Sequence, residues 1–407
     1  MELLKVKSVD EMKEMITTAF KNSQLDAEEV SLLEGLNRYL AKDLIAGMDV
    51  PHFNRSVVDG YAVKLSDVQG ASESIPGFLK ITGQALMGTE TEIFLNQGET
   101  VYVPTGGMVP AGTEAMIMIE YTEKMGQSDL AVYTSAGLHE NMMLIGDDIS
   151  KNQVVFKRGH LLRPQDIGTL SALGYTQAQV YKRPKIGIIS TGDEVVRPGQ
   201  TPQPGEIIDI NTPALSALAI SRGFELAKTD YVHDSFEAIR DKITEMMADC
   251  DLLVLSGGSS MGEKDYTVKV IAELGEVYLH GLAVKPGKPT ILGKVDDKPV
   301  VGLPGQPAAA IMVFTMVSDF LQPIFYDKKD ETIKGISGIL MENIHAAPGR
   351  RTFQTVKIKK TSAGVEVWPT YGKSGMITLL SDSHGYLDIS EDMEGLNAGQ
   401  VVVVNLF

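Results

Sequence analysis

Apolar and polar positions recur with different periods along the chain, and the changes of period divide it into units. Ser8 with Glu11 three residues later forms a capping box, and Met12, Met15, Ile16, Ala19 and Phe20 then recur at helical spacing, so an amphipathic helix is predicted. A second helix is predicted from about Ala27 to Leu44, with Val30, Leu33, Leu36, Leu40 and Leu44 on one stripe. From about Gly47 to Ser135 short β-rich runs are punctuated by glycine, among them Phe78-Leu-Lys-Ile-Thr82, Glu99-Thr-Val-Tyr-Val103 and Ala115-Met-Ile-Met-Ile119. This texture predicts a small β unit inserted after the helices. Gln165 to Gly174 then reads as a helix with a glycine stop, returning the chain to the helical unit.

Between Lys185 and about Tyr326, buried strand, loop and helix alternate, the signature of a mostly parallel α/β sheet. Strands are predicted at Lys185–Ser190, Asp251–Ser256 and Pro299–Leu303, and helices at Pro213–Arg222, Phe236–Ala248 and Tyr266–Leu274. The apolar run Ala308 to Phe320 carries Thr315, Ser318 and Asp319, so it reads as a buried helix and not a membrane span. The last stretch alternates at period two, as in Thr355-Val-Lys-Ile-Lys359 and Val365-Glu-Val-Trp-Pro369, and predicts a small antiparallel barrel or sandwich. The fold class expected is therefore multidomain α/β and β. A three-layer α/β domain over 181–327 is joined by an inserted β domain over 47–145, an elongated helical linker domain built from 1–46 and 146–180, and a C-terminal β-barrel over 328–407.

A length of 407 residues exceeds what one core serves, and 43% apolar with 22% charged residues is ordinary for a soluble globular protein. The net charge of −16 argues against a nucleic-acid binder, because counterion release needs surplus lysine and arginine facing the polymer. An anionic small molecule would need a local basic pocket, since the summed field repels it. The lone Cys250 precludes an intrachain disulfide. With no signal-type apolar run at the start, the chain reads as cytoplasmic and without membrane attachment.

Candidate chemistry gathers at loops. In Lys285-Pro-Gly-Lys288-Pro, proline and glycine stiffen a loop that carries two ammonium groups three residues apart, and such crowding calls for an anion; a pair of ordinary rigid turns with exposed lysines is the alternative. Ser256-Gly-Gly-Ser-Ser-Met-Gly262 follows a buried strand and precedes a helix, so its backbone N–H groups suit a phosphate; a tight strand-to-helix turn is the alternative. Thr191-Gly-Asp-Glu194 puts a hydroxyl and carboxylates at the carboxyl edge of the sheet, where ligands sit in such folds. Asp209, Asp234 and Asp265 lie near other element ends; converging carboxylates would bind Mg²⁺ or position water, whereas Asp209 reads better as a solvated helix cap and Asp234 stands between the two. Ser56 and Asp59 flank an Asp-Gly turn, and Thr105-Gly-Gly-Met-Val-Pro110 is a second polar loop. On a strand, Arg350 and Arg351 point to opposite faces, so one of them at most reaches a shared ligand; Gly372-Lys-Ser-Gly375 adds a hydroxyl. The seven histidines show no metal-ligand spacing.

Taken in order, Ser56-Val-Val-Asp-Gly-Tyr-Ala62, Thr105-Gly-Gly-Met-Val-Pro110, Gly146-Asp-Asp-Ile149, Ser190-Thr-Gly-Asp-Glu194, Ser256-Gly-Gly-Ser-Ser-Met-Gly262, Lys285-Pro-Gly-Lys-Pro289 and Gly302-Leu-Pro-Gly305 resemble the MoeA family, the molybdopterin molybdenumtransferases, over nearly the whole chain. The resemblance implies an enzyme that takes adenylylated molybdopterin and molybdate, inserts the metal at the pterin dithiolene and releases AMP. It implies an elongated homodimer in which Asp59 and Thr105 reach into the partner's site. Glu194, Asp234 and Asp265 then act around the nucleotide and Mg²⁺, with Glu194 and Asp265 as metal ligands. Ser256, Gly257, Gly258, Ser259 and Gly262 hold the pterin phosphate, and Lys285, Lys288, Arg350 and Ser374 hold molybdate. The molybdopterin adenylyltransferase is a further partner implied. A non-catalytic scaffold on the same fold, like gephyrin, is the alternative. This chain departs from the family at Gln306-Pro-Ala-Ala309, where Asn-Pro-Val-Ser is usual, at Asn54 in place of aspartate, and at Ser235 in place of an acid.

Overall fold

The structure, a computed structural model, describes residues 6–257, 266–328, 335–362, 364–373 and 375–407. Its centre is a six-stranded sheet of β1 (Lys185–Thr191), β2 (Glu225–Val232), β3 (Leu252–Ser256), β4 (Gly275–His280), β5 (Ile291–Val295) and β6 (Lys298–Leu303). Their order is β2-β1-β3-β6-β5-β4. The first four are parallel, and β5 and β4 extend the edge antiparallel. Strand side chains alternate between faces. Leu252 and Val254 accordingly pack into one apolar layer, and Leu253 and Leu255 into the other.

The first layer is covered by three helices: α1 (Val9–Ala19), α3 (Asn211–Ser221) and α6 (Pro307–Phe325). The second is covered by α4 (Phe236–Met247) and α5 (Tyr266–Leu274), through Ile239, Ile243, Val270 and Ile271. The capping box of Ser8 and Glu11 forms as predicted, and Met12 and Ile16 of α1, with Phe20 at its C-cap, bury themselves against the sheet layer. Of the described helices only α6 is long and apolar enough to cross a membrane, and 72% of its apolar window is buried inside the protein, as suits a core helix.

The helix predicted over 27–44 is not formed. Ala27–Ser31 is a strand paired antiparallel with Gln177–Tyr181, and residues 32–37 make turns in which Asn37 has φ +60°. The apolar stripe was a coincidence of spacing. Leu40 and Leu44 are buried, but Leu33 faces solvent, because backbone bonds to a strand some 150 residues away replace the local helical ones. Leu44–Ile45 likewise pairs with Val154–Phe156, so the two chain segments flanking the insertion hold each other. The return segment forms α2 (Pro164–Ala172), which ends ahead of Gly174 at φ +81°.

The insertion folds as a six-stranded sheet in which Glu99–Val103 runs parallel to Gly77–Gln84 and the remaining pairings are antiparallel. At the carboxyl end, Arg351–Thr361, Gly364–Pro369, Ile336–Leu340, Val401–Leu406 and Gly385–Ile389 close into a five-stranded barrel. It is not wholly antiparallel as expected: Ile336–Leu340 and Gly364–Pro369 run parallel.

One buried charge locks the start of α2. Asp166 is 3% exposed and accepts hydrogen bonds from the backbone N–H of Arg163 (2.9 Å) and its guanidinium (3.0 Å), and it meets Nε2 of His160 at 2.9 Å. Burial pushes its pKa up, but the Arg163 and His160 hydrogen bonds outweigh burial and lower it from 3.8 to about 2. A depressed carboxylate stabilises the fold above its unfolded pKa and loses that contribution as pH falls. The shift corresponds to about 2 kcal/mol at neutral pH, of which about half is gone at pH 3. Asp166→Asn should therefore lower the urea midpoint at pH 7, and the gap from the native protein should shrink markedly at pH 3. A gap independent of pH would contradict the assignment.

Candidate active site

The Lys285 loop is held from inside and from across a seam. Within it, the carbonyl of Lys288 accepts from Leu282 N–H (2.8 Å) and Thr290 N–H (2.9 Å), and Thr290 Oγ1 donates to Gly287 O at 2.6 Å. Gly287 has φ +126°, and a Cβ there would sit 2.6 Å from Val313 of α6, so only glycine lets the loop lie on that helix. Across the seam, Val284–Lys285 forms a short parallel ladder with Arg351–Thr352 of the barrel, and Arg351 N–H donates to Ala283 O at 2.9 Å. This ladder brings Lys285, Lys288 and Arg350 to the wall of one cleft of about 520 Å³.

The two adjacent arginines separate as strand geometry requires. Arg351 is tied to Asp388 by two bonds of 2.7 and 2.8 Å, while Arg350 lines the cleft. Among the described residues, neither lysine nor Arg350 has an ion-pair partner. Three cations meeting in a concave site with no protein carboxylate opposite them make a receptor for a compact anion. His345 and the hydroxyl residues Thr352, Thr355 and Thr370 complete the lining.

A second cleft, of about 340 Å³, lies at the carboxyl edge of the central sheet, lined by Thr191, Glu194, Asn211, Ser256 and Gly257 with an apolar rim of Val195, Ile207, Ile208 and Ile210. Gly257 has φ +100°, and a Cβ on it would lie 2.0 Å from Thr191 O, so glycine lets the ends of β1 and β3 meet. Gln306, the residue before α6, belongs to the walls of both clefts, which therefore adjoin. Gly372 lines the first and Gly375 the second.

Other predicted residues fall elsewhere. Asp59 and Thr105 are joined in the inserted domain, Thr105 N–H donating to Asp59 Oδ1 at 2.8 Å, and they line neither cleft of their own chain. Asp234 follows β2, with its N–H on Asp193 Oδ1 at 3.3 Å in the Thr191–Glu194 loop, and it too is absent from both linings. Asp209, by contrast, does line the second cleft and caps α3, accepting from Asn211 N–H (3.0 Å) and Thr212 N–H (3.2 Å), but it is 5% exposed and not solvated as expected. Ser235 is the N-cap of α4, and Asn54 Oδ1 accepts from Ile145 N–H, so both departures from the family pattern have local structural partners. Gly258, Ser259, Gly262, Asp265 and Ser374 lie outside the described residues. Burial pushes the Cys250 thiol up to about 11, which makes it inert as a nucleophile.

Sequence reasoning missed Asn211, His345 and the barrel threonines. A polar residue opening a helix at the carboxyl edge of the sheet was an available signal for Asn211. For His345 and the threonines there was none, because they enter the cleft through the packing of barrel against sheet. Among the described residues no three His, Cys, Asp or Glu side chains cluster as a metal site. Glu194 and Asp209, which both line the second cleft, nevertheless suit Mg²⁺, an ion that keeps several waters and needs one or two carboxylates besides substrate phosphates.

Three family models match the chain in order: the MoeA N-terminal region (domain I and II) over residues 7–174, a probable molybdopterin binding domain over 187–323, and the MoeA C-terminal region (domain IV) over 337–407. A putative molybdopterin biosynthesis protein of Methanocaldococcus jannaschii is 33% identical, covering 99% of this chain and 98% of that one. A molybdopterin molybdenumtransferase of Haemophilus influenzae is 30% identical over 93% of this chain and 94% of its own. The crystal structure of a molybdopterin biosynthesis MoeA protein from Pyrococcus horikoshii OT3 superposes with a TM-score of 0.87 at 27% identity, covering 99% of this chain and 100% of that one.

The split between the arginines is testable by calorimetry with molybdate. Arg350→Ala is expected to weaken binding about tenfold or more, the loss of one charge-assisted donor. Arg351→Ala should leave affinity within about twofold and lower the melting midpoint instead. Equal losses of affinity would mean that both side chains serve the anion.

Proposed function

The chain belongs to the MoeA family, and from that premise we propose that it is a molybdopterin molybdenumtransferase, joining molybdate to adenylylated molybdopterin and releasing AMP late in molybdenum cofactor biosynthesis. The observation that carries this reading is the cleft where Lys285, Lys288 and Arg350 meet without a counter-ion among the described residues, against a second cleft at the sheet edge. The first suits a tetrahedral dianion, and the second a larger ligand with a phosphate and an apolar ring. The scaffold alternative is not favoured, since unpaired cations facing one another are costly to keep unless something is bound.

In this reading catalysis is chiefly positioning. Lys285, Lys288 and Arg350 hold the oxyanion, with Ser374 as a further donor. Ser256 and the glycines Gly257, Gly258 and Gly262, with Ser259, cradle phosphate through hydroxyl and backbone N–H groups. Glu194 and Asp265 would hold Mg²⁺, which supplies charge neutralisation on the phosphates as the anhydride breaks. Asp234, beside the Thr191–Glu194 loop, orients groups at the nucleotide. The four-domain division, at 47–145, 181–327 and 328–407 with 1–46 and 146–180 as linker, belongs to the same proposal. So does a homodimer: Asp59 and Thr105, remote from both clefts of their own chain, would complete the site of a second copy. A cytoplasmic location and contact with the adenylyltransferase that makes the substrate complete the reading.

The direct test is AMP release from adenylylated molybdopterin with molybdate or tungstate present. Native protein should release AMP in an oxyanion-dependent manner, and Lys288→Ala should abolish that dependence while leaving the fold intact. Undiminished turnover would remove Lys288 from the site. For the shared site, Asp59→Ala and Lys288→Ala proteins, each inactive, should regain part of the activity when their subunits are exchanged, because one interface then carries neither substitution. No recovery after verified exchange would count against the dimeric arrangement.

A further inference from the structure

Asn211 opens α3 with its side chain 8% exposed, beneath the second cleft. Its amide nitrogen donates to Ser256 Oγ at the end of β3 (2.8 Å) and to the carbonyl of Gly305 ahead of α6 (2.8 Å). The orientation of the amide follows from chemistry: a flipped Asn211 would set its oxygen against the Gly305 carbonyl, acceptor against acceptor. The bond to Ser256 therefore runs from Asn211 to the serine. A hydroxyl whose oxygen accepts still has its own proton to give. Among the described residues Ser256 has no acceptor for that proton, and Ser256 lines the cleft. The same amide ties the end of β3 to the turn before α6, so the loops on either side of the cleft are fixed by one side chain.

Resting on the transferase reading, we propose that Asn211 is a positioning residue that makes Ser256 a hydrogen-bond donor to a phosphate oxygen of the substrate. Asn211 acts through Ser256 and touches no reacting atom. The substrate offers two sources of this chemistry, the phosphate on the pterin and the phosphate of its AMP moiety. Binding to the full-length protein of AMP and of molybdopterin without the adenylate, each titrated calorimetrically, separates them.

Asn211→Ala and Ser256→Ala should each weaken one of these ligands about tenfold, the scale of one hydrogen bond to a charged group. The double variant should be no weaker than either single one, since both remove the same contact. The ligand that responds identifies the phosphate. Should Asn211→Ala fail to fold, Asn211→Asp keeps the volume and reverses the bond, the serine hydroxyl now donating to the carboxylate, at the cost of an oxygen facing the Gly305 carbonyl. Its loss of affinity should then be larger with Ser256 present than in the Ser256→Ala background. Independent, additive losses, or folded variants that bind both ligands normally, would overturn the proposal. If native protein shows oxyanion-dependent AMP release while the losses add, only the role of Asn211 falls. If that release is absent, the transferase reading itself falls.

Discussion

The short ladder between Val284–Lys285 and Arg351–Thr352 is the contact on which the proposed site depends. It is the place where a loop of the α/β sheet and a strand of the barrel share backbone hydrogen bonds, and it brings Lys285, Lys288 and Arg350 to the wall of one cleft. Backbone bonds suit this task, because a ladder sets register as well as proximity and leaves the side chains free for ligand. A seam held only by apolar contact would allow the cations to slide apart, and like charges would favour that sliding.

The surroundings make the local charge meaningful. A chain with net charge −16 repels anions at a distance, so binding one requires a short-range receptor dense in donors. The cleft supplies ammonium and guanidinium groups from two domains, together with threonine hydroxyls from the barrel. Ala309, which lacks the hydroxyl of the family pattern, is buried and does not line the cleft, whose hydroxyls come from Thr352, Thr355 and Thr370. Gln306 stands at the boundary of the two clefts, so a ligand in one lies close to a ligand in the other. Adjacent binding of two reactants accounts for much of what an enzyme of this kind must do.

Much of this was legible in the chain. Buried strands flanked by glycine loops marked β1, β3 and β6, and the stiff Lys285–Pro289 turn marked a wall of the first cleft, because proline and glycine act on the backbone locally wherever they occur. The edge strands β2 and β4 were harder to see, since they carry mixed patterns and gain their identity from neighbours. The helical stripe from Val30 to Leu44 misled for the same reason. Its spacing fits a helix, but Ala27–Ser31 finds a distant strand partner, and long-range pairing outweighs a weak local preference.

The sequence by itself determined the order of units, the family and the types of residue that carry chemistry, all properties of local backbone preference and of motifs contiguous in the chain. Tertiary structure decided which of those residues meet. It turned Arg350 into the cleft and gave Arg351 to Asp388, set Asp59 and Thr105 apart from both clefts, and buried Asn211 between Ser256 and Gly305. Each of these depends on contacts between segments far apart in the chain, whose register is settled only when sheet, helix and barrel pack together.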